Sequence, residues 1–313
     1  MEKSRLTFLG TGTSQGIPII GCTCEVCRSA DRADKRFRSS AFVEYAGRRI
    51  LVDAGPDFRM QMLAHGLHNL DGILLTHNHK DHTGGLDDVR SLNYIDRKAT
   101  EIYCERNVLE DLIREYPYVF RFPKYPGAPE WQLNVIDERP FLLRDDLRGK
   151  ELVWVHDKGY HFRLPDGTLV PTGSKIEDIV HEAPHPEGAP SPDECRIIPV
   201  RGLHGTLPVL GFRFGQIAYL TDMSSIPESE MEKLQGLKHV TLNTVSYKPH
   251  HSHFSLDEAL AMADRIGAQH TWLTHLSHTF PRYATFREDL RRLCRERGIH
   301  SDVQPAYDGL VIE

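Results

Sequence analysis

The feature that most constrains this fold is a run of metal-ligand side chains that directly follows a short apolar segment. Gly72–Thr76 is an apolar run that predicts a buried strand, and His77, His79, Asp81 and His82 come after it, before two glycines. Imidazole and carboxylate groups suit zinc, manganese or iron. Four of them leaving one tight loop would point in different directions. A surface loop with scattered histidines would not need a buried strand before it, so the run predicts a metal site at a strand end.

Three residues of the second half repeat this placement. His204 follows the β-prone run Ile197–Val200, Asp222 follows a predicted hairpin, and His275 follows the run Thr271–Leu273. Sites in α/β proteins are commonly built where strands meet loops. Each residue alone would more often be an ordinary hydrogen-bonding side chain. Together with the first run, they are better explained as metal ligands.

A second cluster of metal-binding side chains is Cys22-x-Cys24-x-x-Cys27. Six cysteines in 313 residues make no disulfide framework, and three packed this closely indicate metal or redox chemistry in a reducing compartment. A closed tetrahedral zinc site needs a fourth ligand, and His278 is the candidate. The alternative is a set of reduced, unliganded thiols or a redox pair.

The order of predicted elements indicates an α/β fold. Strands and helices alternate along the chain, and two hairpins, Ser40–Asp53 and Leu210–Leu220, occupy matching places in the two halves. This pattern favours a sandwich of two central sheets with outer helices. We expect one domain over residues 1–313. A proline-rich insertion at about 120–195 is expected to decorate it, as a pocket wall or as a homodimer contact.

Composition argues against two kinds of binding partner, nucleic acids and membranes. The formal net charge is -6, which argues against a nucleic-acid partner, since such proteins normally carry a clustered basic surface. No apolar run reaches the roughly 18 residues that span a bilayer, and the first ten residues have no apolar signal core. We therefore expect a cytoplasmic protein without a membrane partner.

The ligand pattern resembles that of the metallo-β-lactamase-fold hydrolases. That family has an αββα sandwich with two central mixed sheets, and its early aspartate, matched by Asp53, hydrogen-bonds a metal ligand. The resemblance implies two catalytic divalent ions. It implies that one ion is held by His77, His79 and His204, the other by Asp81, His82 and His275, and that Asp222 bridges them. Two such ions can share a hydroxide and clamp the attacking and leaving oxygens.

Within that family, the segments Gly10–Pro18 and Leu273–His278 and the cysteine motif resemble the phosphoribosyl 1,2-cyclic phosphate phosphodiesterases of the carbon–phosphorus lyase pathway. The resemblance implies zinc or manganese at the catalytic site and a structural zinc on the three cysteines and His278. It also implies a histidine before a helix that protonates the leaving group. His253 is the best match, and the neighbouring His250 and His251 remain alternatives. The insertion departs from this subfamily.

The expected function is hydrolysis of a small, cyclic phosphodiester, with Asp81 and His253 as catalytic residues. A tRNA 3′-end-type endonuclease has the same ligand set but needs an RNA-gripping arm and a basic surface. Thioester or lactam hydrolysis is a further enzymatic alternative. The non-enzymatic alternative is a zinc-stabilised interaction scaffold. A count of three metals per chain would favour the phosphodiesterase, and a single zinc would favour the scaffold.

Overall fold

The computed structural model describes residues 4–122, 124–125, 127–145, 147, 150–189, 191 and 194–313. The strands of the first half are β1 (Arg5–Gly10), β2 (Ser40–Tyr45), β3 (Arg48–Val52), β4 (Gly72–Leu74), β5 (Thr100–Cys104) and β6 (Trp131–Val135). Its helices are α1 (Phe58–His65), α2 (Lys80–Thr83), α3 (Arg90–Asp96) and α4 (Arg106–Glu115).

The rest of the chain adds twelve strands among the described residues. They are β7 (Phe141–Leu142), β8 (Glu151–Val155), β9 (Gly159–Arg163), β10 (Leu169–Pro171), β11 (Val180–Glu182), β12 (Arg196–His204), β13 (Leu207–Phe214), β14 (Ile217–Tyr219), β15 (His239–Asn243), β16 (His270–Thr274), β17 (Asp302–Pro305) and β18 (Val311–Ile312). The helices are α5 (Leu256–Ile266) and α6 (Tyr283–Arg297). Short 3₁₀ segments are Arg32–Asp34, Leu86–Val89, Ile176–Asp178 and Glu228–Leu234.

Two large mixed sheets form the centre of the molecule. The first has the order β11-β6-β5-β4-β3-β2-β1-β18, and the second has the order β17-β16-β15-β14-β13-β12-β7. Apolar side chains of both sheets, such as Phe8, Phe212 and Phe214, share one buried cluster between them. A second cluster joins the first sheet to α1 and α4, and a third joins the second sheet to α5 and α6. This confirms the predicted α/β sandwich with two central mixed sheets.

The parallel strands of each sheet place the loops of interest at one edge. Strands β3, β4 and β5 run parallel, as do β14, β15 and β16. Ligands of open α/β sheets bind outside the carboxyl ends of such strands. Asp53 follows β3, His77 lies three residues after β4, Asp222 three residues after β14, and His275 follows β16. The order of the strands within each sheet therefore brings residues that are distant in the sequence to one site.

The segment at about 120–195 differs from the predicted decoration. Strands β6 and β11 extend the first sheet, and β7 forms the edge of the second. Strands β8, β9 and β10 form a separate three-stranded sheet. Leu152 of β8 donates its backbone N–H to the carbonyl of Arg97, 2.6 Å away, just before β5 begins. This small sheet is therefore attached at the amino end of β5, at the other end of that strand from the edge that carries the histidines.

The remaining elements follow the predictions closely. The sequence predicts helices over Phe58–His65 and Leu256–Ile266, and α1 and α5 have these bounds. It also predicts a helical stretch over Leu86–Tyr94, where the structure has a 3₁₀ turn followed by α3. Among the described residues, no helix combines the length and apolar character needed to cross a membrane. The single domain over residues 1–313 remains a prediction.

Candidate metal centre

The expected ligands converge at the carboxyl edge of the two sheets. Side-chain ligand atoms of Asp81, His82, Asp222 and His275 all lie within 4.8 Å of one another. The two carboxylate oxygens of Asp222 face different rings: Oδ1 lies 3.0 Å from Nε2 of His275, and Oδ2 lies 3.3 Å from Nε2 of His82. Oδ2 of Asp81 also lies 3.3 Å from Nε2 of His82. These four residues form one compact donor set.

The other three predicted ligands lie next to this set, and the ring centroid of His77 is 4.3 Å from that of His82. The ring centroid of His77 is 4.6 Å from that of His79 and 5.6 Å from that of His204, and the His79 and His204 centroids are 5.1 Å apart. Ligand atoms of His204, Asp222 and His253 form a second group within 4.8 Å. Asp222 thus belongs to both groups. The structure brings all seven predicted side chains together.

Unpaired ring nitrogens and clustered carboxylates show that these residues suit cations. Nε2 atoms of His77, His82 and His275 are buried, and within the described part of the chain none makes a hydrogen bond of acceptable geometry, although carboxylate oxygens lie close to two of them. A buried polar atom without a partner costs about 1–3 kcal/mol, so several together need an explanation. Close to these nitrogens lie the carboxylates of Asp222, which is buried, and Asp81, which is partly exposed. Imidazole nitrogens and carboxylate oxygens are suitable ligands for zinc or manganese, so the residues present fit divalent cations.

Asp53 and Thr76 fix the orientation of two of these rings. Asp53 is fully buried, and its Oδ2 accepts a hydrogen bond from Nδ1 of His82 at 2.7 Å. The hydroxyl of Thr76 donates to the same oxygen at 2.9 Å and lies 2.9 Å from Nδ1 of His77, which can donate to it. Each ring then presents Nε2 to the site, as metal-ligating histidines do. The contact between Asp53 and a ligand was expected, whereas Thr76 was missed. Its position between an apolar strand and His77 was the available signal.

The charges of the site shift the pKa values of its members in opposite directions. Burial alone would lower the pKa of His82, but Asp222, Asp53 and Asp81 outweigh it and raise that pKa well above its ordinary value. Burial alone would raise the pKa of Asp222, but the rings of His275 and His82 hold it well below its usual range. Burial lowers the pKa of His77, and the neighbouring His82 lowers it further. In all, carboxylates dominate the field around His82.

Three site residues hold a left-handed backbone. Asp53, Asp222 and His275 have φ values of 62°, 58° and 56°, and each stands at a strand-to-loop turn of the site. This conformation costs non-glycine residues of order 1–3 kcal/mol and persists only where the surroundings enforce it. The turns are therefore held by tertiary contacts.

Gly55 allows the turn after β3 to contact the loop that contains Asp81 and His82. A Cβ at this position would lie 1.9 Å from the carbonyl oxygen of Asp81. The adjacent backbone makes a direct contact there, since the N–H of Ala54 donates to the carbonyl of His82 at 2.8 Å. The turn after β3 and the metal-ligand loop after β4 consequently form one packed unit.

His253 lies beside both ligand groups. Its ring centroid is 4.5 Å from those of His204 and His275, and its Nδ1 is 3.8 Å from Oδ1 of Asp222. Burial, with help from His275, lowers the pKa of His253 to about 2. The ring centroid of the alternative, His250, is 5.2 Å from that of His253. His251 is exposed and has its ring centroid 4.5 Å from that of His250.

The cysteine motif and His278 form a separate cluster. Nδ1 of His278 lies 3.2, 3.6 and 3.8 Å from the sulfurs of Cys22, Cys24 and Cys27. Bond lengths of about 2.3 Å to sulfur and 2.0–2.1 Å to nitrogen place the donors of a tetrahedral zinc roughly 3.6 Å apart. Backbone N–H groups of Ile19 and Cys27 point at two of the sulfurs. The four donors therefore fit a closed zinc site.

Comparison with known proteins places the chain in a family. The family model described as "Beta-lactamase superfamily domain" matches residues 48–144 and 143–276. These ranges include the metal-ligand motif, His204, Asp222 and His275. The cysteine motif and His278 lie outside them.

Three relatives are similar over nearly the whole chain. The solved structure of a diphosphatase from the PhnP family has 32% identity and a TM-score of 0.71, with 99% of this chain and 98% of that one covered. Human tRNase Z, short form, has 17% identity and a TM-score of 0.56, with 99% and 98% covered, and shows the fold alone. An octanoyltransferase of Porphyromonas gingivalis is 36% identical over 309 residues, 98% of this chain, which spans only 51% of that protein.

Proposed function

This chain belongs to the β-lactamase superfamily domain family, whose fold carries metal-dependent hydrolases, and on that premise we propose that it hydrolyses a small phosphodiester with two divalent cations. The observation that carries the proposal is the position of Asp222. Its Oδ1 faces His275 and its Oδ2 faces His82, and a ligand atom of His204 lies within 4.8 Å of the same carboxylate. A carboxylate between two donor sets is what a bridging ligand requires.

The ligands divide between the two cations as the family resemblance implies. His77, His79 and His204 would hold one, Asp81, His82 and His275 the other, and Asp222 would contact both. When bound, zinc or manganese ions supply water that ionises at neutral pH and neutralise charge that develops on a phosphate. Asp53 orients His82 and, through the hydroxyl of Thr76, His77. The protein thus holds its donors ready before substrate arrives.

We assign the protonation of the departing alkoxide to His253. Its side chain is 12% exposed, so it can reach a substrate from its place between His204 and His275. Burial and the neighbouring His275 lower its pKa and favour the neutral ring. The negative charge of a bound phosphate acts in the opposite direction and favours the protonated form. A neutral imidazole is also the form that ligates a metal. Metal content of a His253 variant therefore separates the two roles.

A second candidate reaction is hydrolysis of a diphosphate. It is favoured by the 32% identical relative, which is described as a diphosphatase. Both reactions transfer a phosphoryl group to water and leave an oxygen anion, so the same donors serve either. The acyl transfer named for the Porphyromonas relative is not assigned here, because this chain spans half of that protein.

Metal analysis and a substrate screen test the proposal. Protein reconstituted with zinc or manganese should hold three metals per chain, two on the histidine–aspartate centre and one on the cysteine cluster. It should hydrolyse bis(p-nitrophenyl) phosphate, and a panel of cyclic phosphodiesters, linear phosphodiesters and diphosphates should reveal the preferred class. A single metal per chain and no turnover of the whole panel would instead favour an interaction scaffold. A small substrate, a homodimer and a cytoplasmic location remain predictions.

A further inference from the structure

Two metal-binding clusters meet in one four-residue segment of this chain. His275 places Nε2 3.0 Å from Asp222 in the catalytic centre, and His278 places Nδ1 among the three cysteine sulfurs. Only Leu276 and Ser277 separate them. A chain this short spans at most about 10 Å, so a displacement of one histidine is passed to the other.

The segment is fixed from both sides. The N–H of Leu276 donates to the carbonyl of Thr11 at 2.9 Å, and the hydroxyl of Ser277 donates to the carbonyl of Val245 at 2.5 Å. Leu276 is buried, and it also pairs with Gly12 as an isolated β-bridge. The segment is thus held between the turn after β1 and the loop after β15, with His278 as its outer end.

His275 needs this support because its own backbone is strained. Its φ of 56° lies in the left-handed region, which is unfavourable for a residue with a side chain. Strand β16 holds the residue on one side. On the other side the contacts of residues 276–278 must keep it from relaxing to an ordinary conformation, which would turn the ring away from Asp222.

The cysteine loop has a small apolar core of its own. Ile17, Val26 and Cys27 are its buried members, and they form a cluster separate from the three large cores. Ile20 at the tip is fully exposed. A loop with so little buried surface depends on its metal for a fixed shape, as small zinc-bound units generally do.

From these observations, we propose that the cluster of Cys22, Cys24, Cys27 and His278 positions His275, so that loss of its metal selectively weakens the cation held by Asp81, His82 and His275. The inference rests on the proposed two-cation centre. The cation held by His77, His79 and His204 takes its ligands from other segments and keeps its affinity. His278 is in this sense a positioning residue for the catalytic centre.

Cobalt(II) binding to His278→Ala tests the coupling without measuring turnover. The catalytic centre is titrated with Co²⁺ and followed by its visible absorption, and total metals are counted by mass spectrometry. The variants His79→Ala and Asp81→Ala identify which absorption belongs to which cation. We expect His278→Ala to lose the cysteine-bound metal and to bind the Asp81-side cobalt about 10- to 100-fold more weakly, the range typical of lost supporting contacts around ligands.

Two further variants separate positioning from general loss of stability. His278→Cys supplies a thiolate as fourth ligand and should restore both the cysteine-bound metal and the second cobalt affinity. Cys24→Ser should behave like His278→Ala. Cys294→Ser, in buried surroundings on α6, makes the same chemical change away from both clusters and should leave both cobalt affinities unchanged.

The wild-type protein provides an independent measurement if His278→Ala does not fold. An organomercurial that displaces the metal from the three thiolates should release the Asp81-side cobalt in parallel. Retention of both cobalt ions after the thiolate metal has gone, or an equal loss of both affinities in His278→Ala, would overturn the coupling. Wild-type protein that binds fewer than two cobalt ions at the histidine–aspartate centre would contradict the proposed function before any variant is compared.

Discussion

Replacement of Asp53 by Asn tests whether one buried carboxylate organises the metal centre. Asp53 is fully buried and accepts hydrogen bonds from three donors: the Thr76 N–H at 2.9 Å, the Thr76 hydroxyl at 2.9 Å and Nδ1 of His82 at 2.7 Å. An amide has the same shape but only one acceptor oxygen. Whichever way it turns, its NH₂ group faces at least one of these donors.

The expected effect can be estimated from that mismatch. A buried donor left without an acceptor costs about 1–3 kcal/mol. Since each tenfold change in affinity is about 1.4 kcal/mol, the Asp81-side cation should bind about 5- to 150-fold more weakly if the mismatch falls on His82. This agrees with the roughly 10- to 100-fold effect of removing a carboxylate that supports a histidine ligand. Activity should return when the metal concentration is raised, because the ligands themselves are intact.

Competition between the protein and a chelator of known affinity measures this change. Thermal unfolding of the metal-free variant shows whether the fold has survived. Thr76→Val is the companion variant: it removes the hydroxyl that links His77 to Asp53 and should weaken the His77-side cation, whereas Thr76→Ser keeps the hydroxyl and the affinity. Folded Asp53→Asn protein that binds both cations as tightly as wild type would refute the role given to Asp53.

Three further predictions concern the same site. His253→Ala should slow turnover by about 10²–10⁴-fold, the usual value of general acid catalysis, with metal content unchanged; loss of a metal, measured by mass spectrometry, would make His253 a ligand instead. Gly55→Ala should lower both the unfolding temperature and cation affinity, because its Cβ would lie 1.9 Å from the Asp81 carbonyl, whereas Gly47→Ala, whose Cβ meets nothing within 4 Å, should affect stability alone. Removal of metals with a chelator should lower the unfolding temperature measured by calorimetry. The reason is that a ligand present at a hundred times its dissociation constant stabilises the folded protein by about 2.7 kcal/mol. An unchanged unfolding temperature would contradict metal binding.

The sequence by itself determined the fold class and the identities of the clustered side chains. Each ligand residue follows an apolar, strand-forming run, and that local pattern is readable without knowledge of tertiary contacts. Helices α1 and α5 have the bounds predicted from the sequence. In the structure a glycine ends each of them, and Ser255 forms a capping box with Glu258 at the start of α5. The spacing of the cysteines indicated a zinc site, and His278, three residues after His275, was the candidate for its fourth ligand.

Tertiary structure decided how these side chains face one another. The placement of Asp222 between two donor sets depends on the meeting of two sheets, and no local pattern encodes that distance. The same holds for Thr76, whose hydroxyl matters only because Asp53 lies beside it. Strands β6, β7 and β11 were mistaken for parts of a decoration because short strands are stabilised by their neighbours in the sheet, and those neighbours are far away in sequence. Local sequence patterns specify the elements and the residues that follow them, whereas long-range strand pairing sets the geometry on which the chemistry depends.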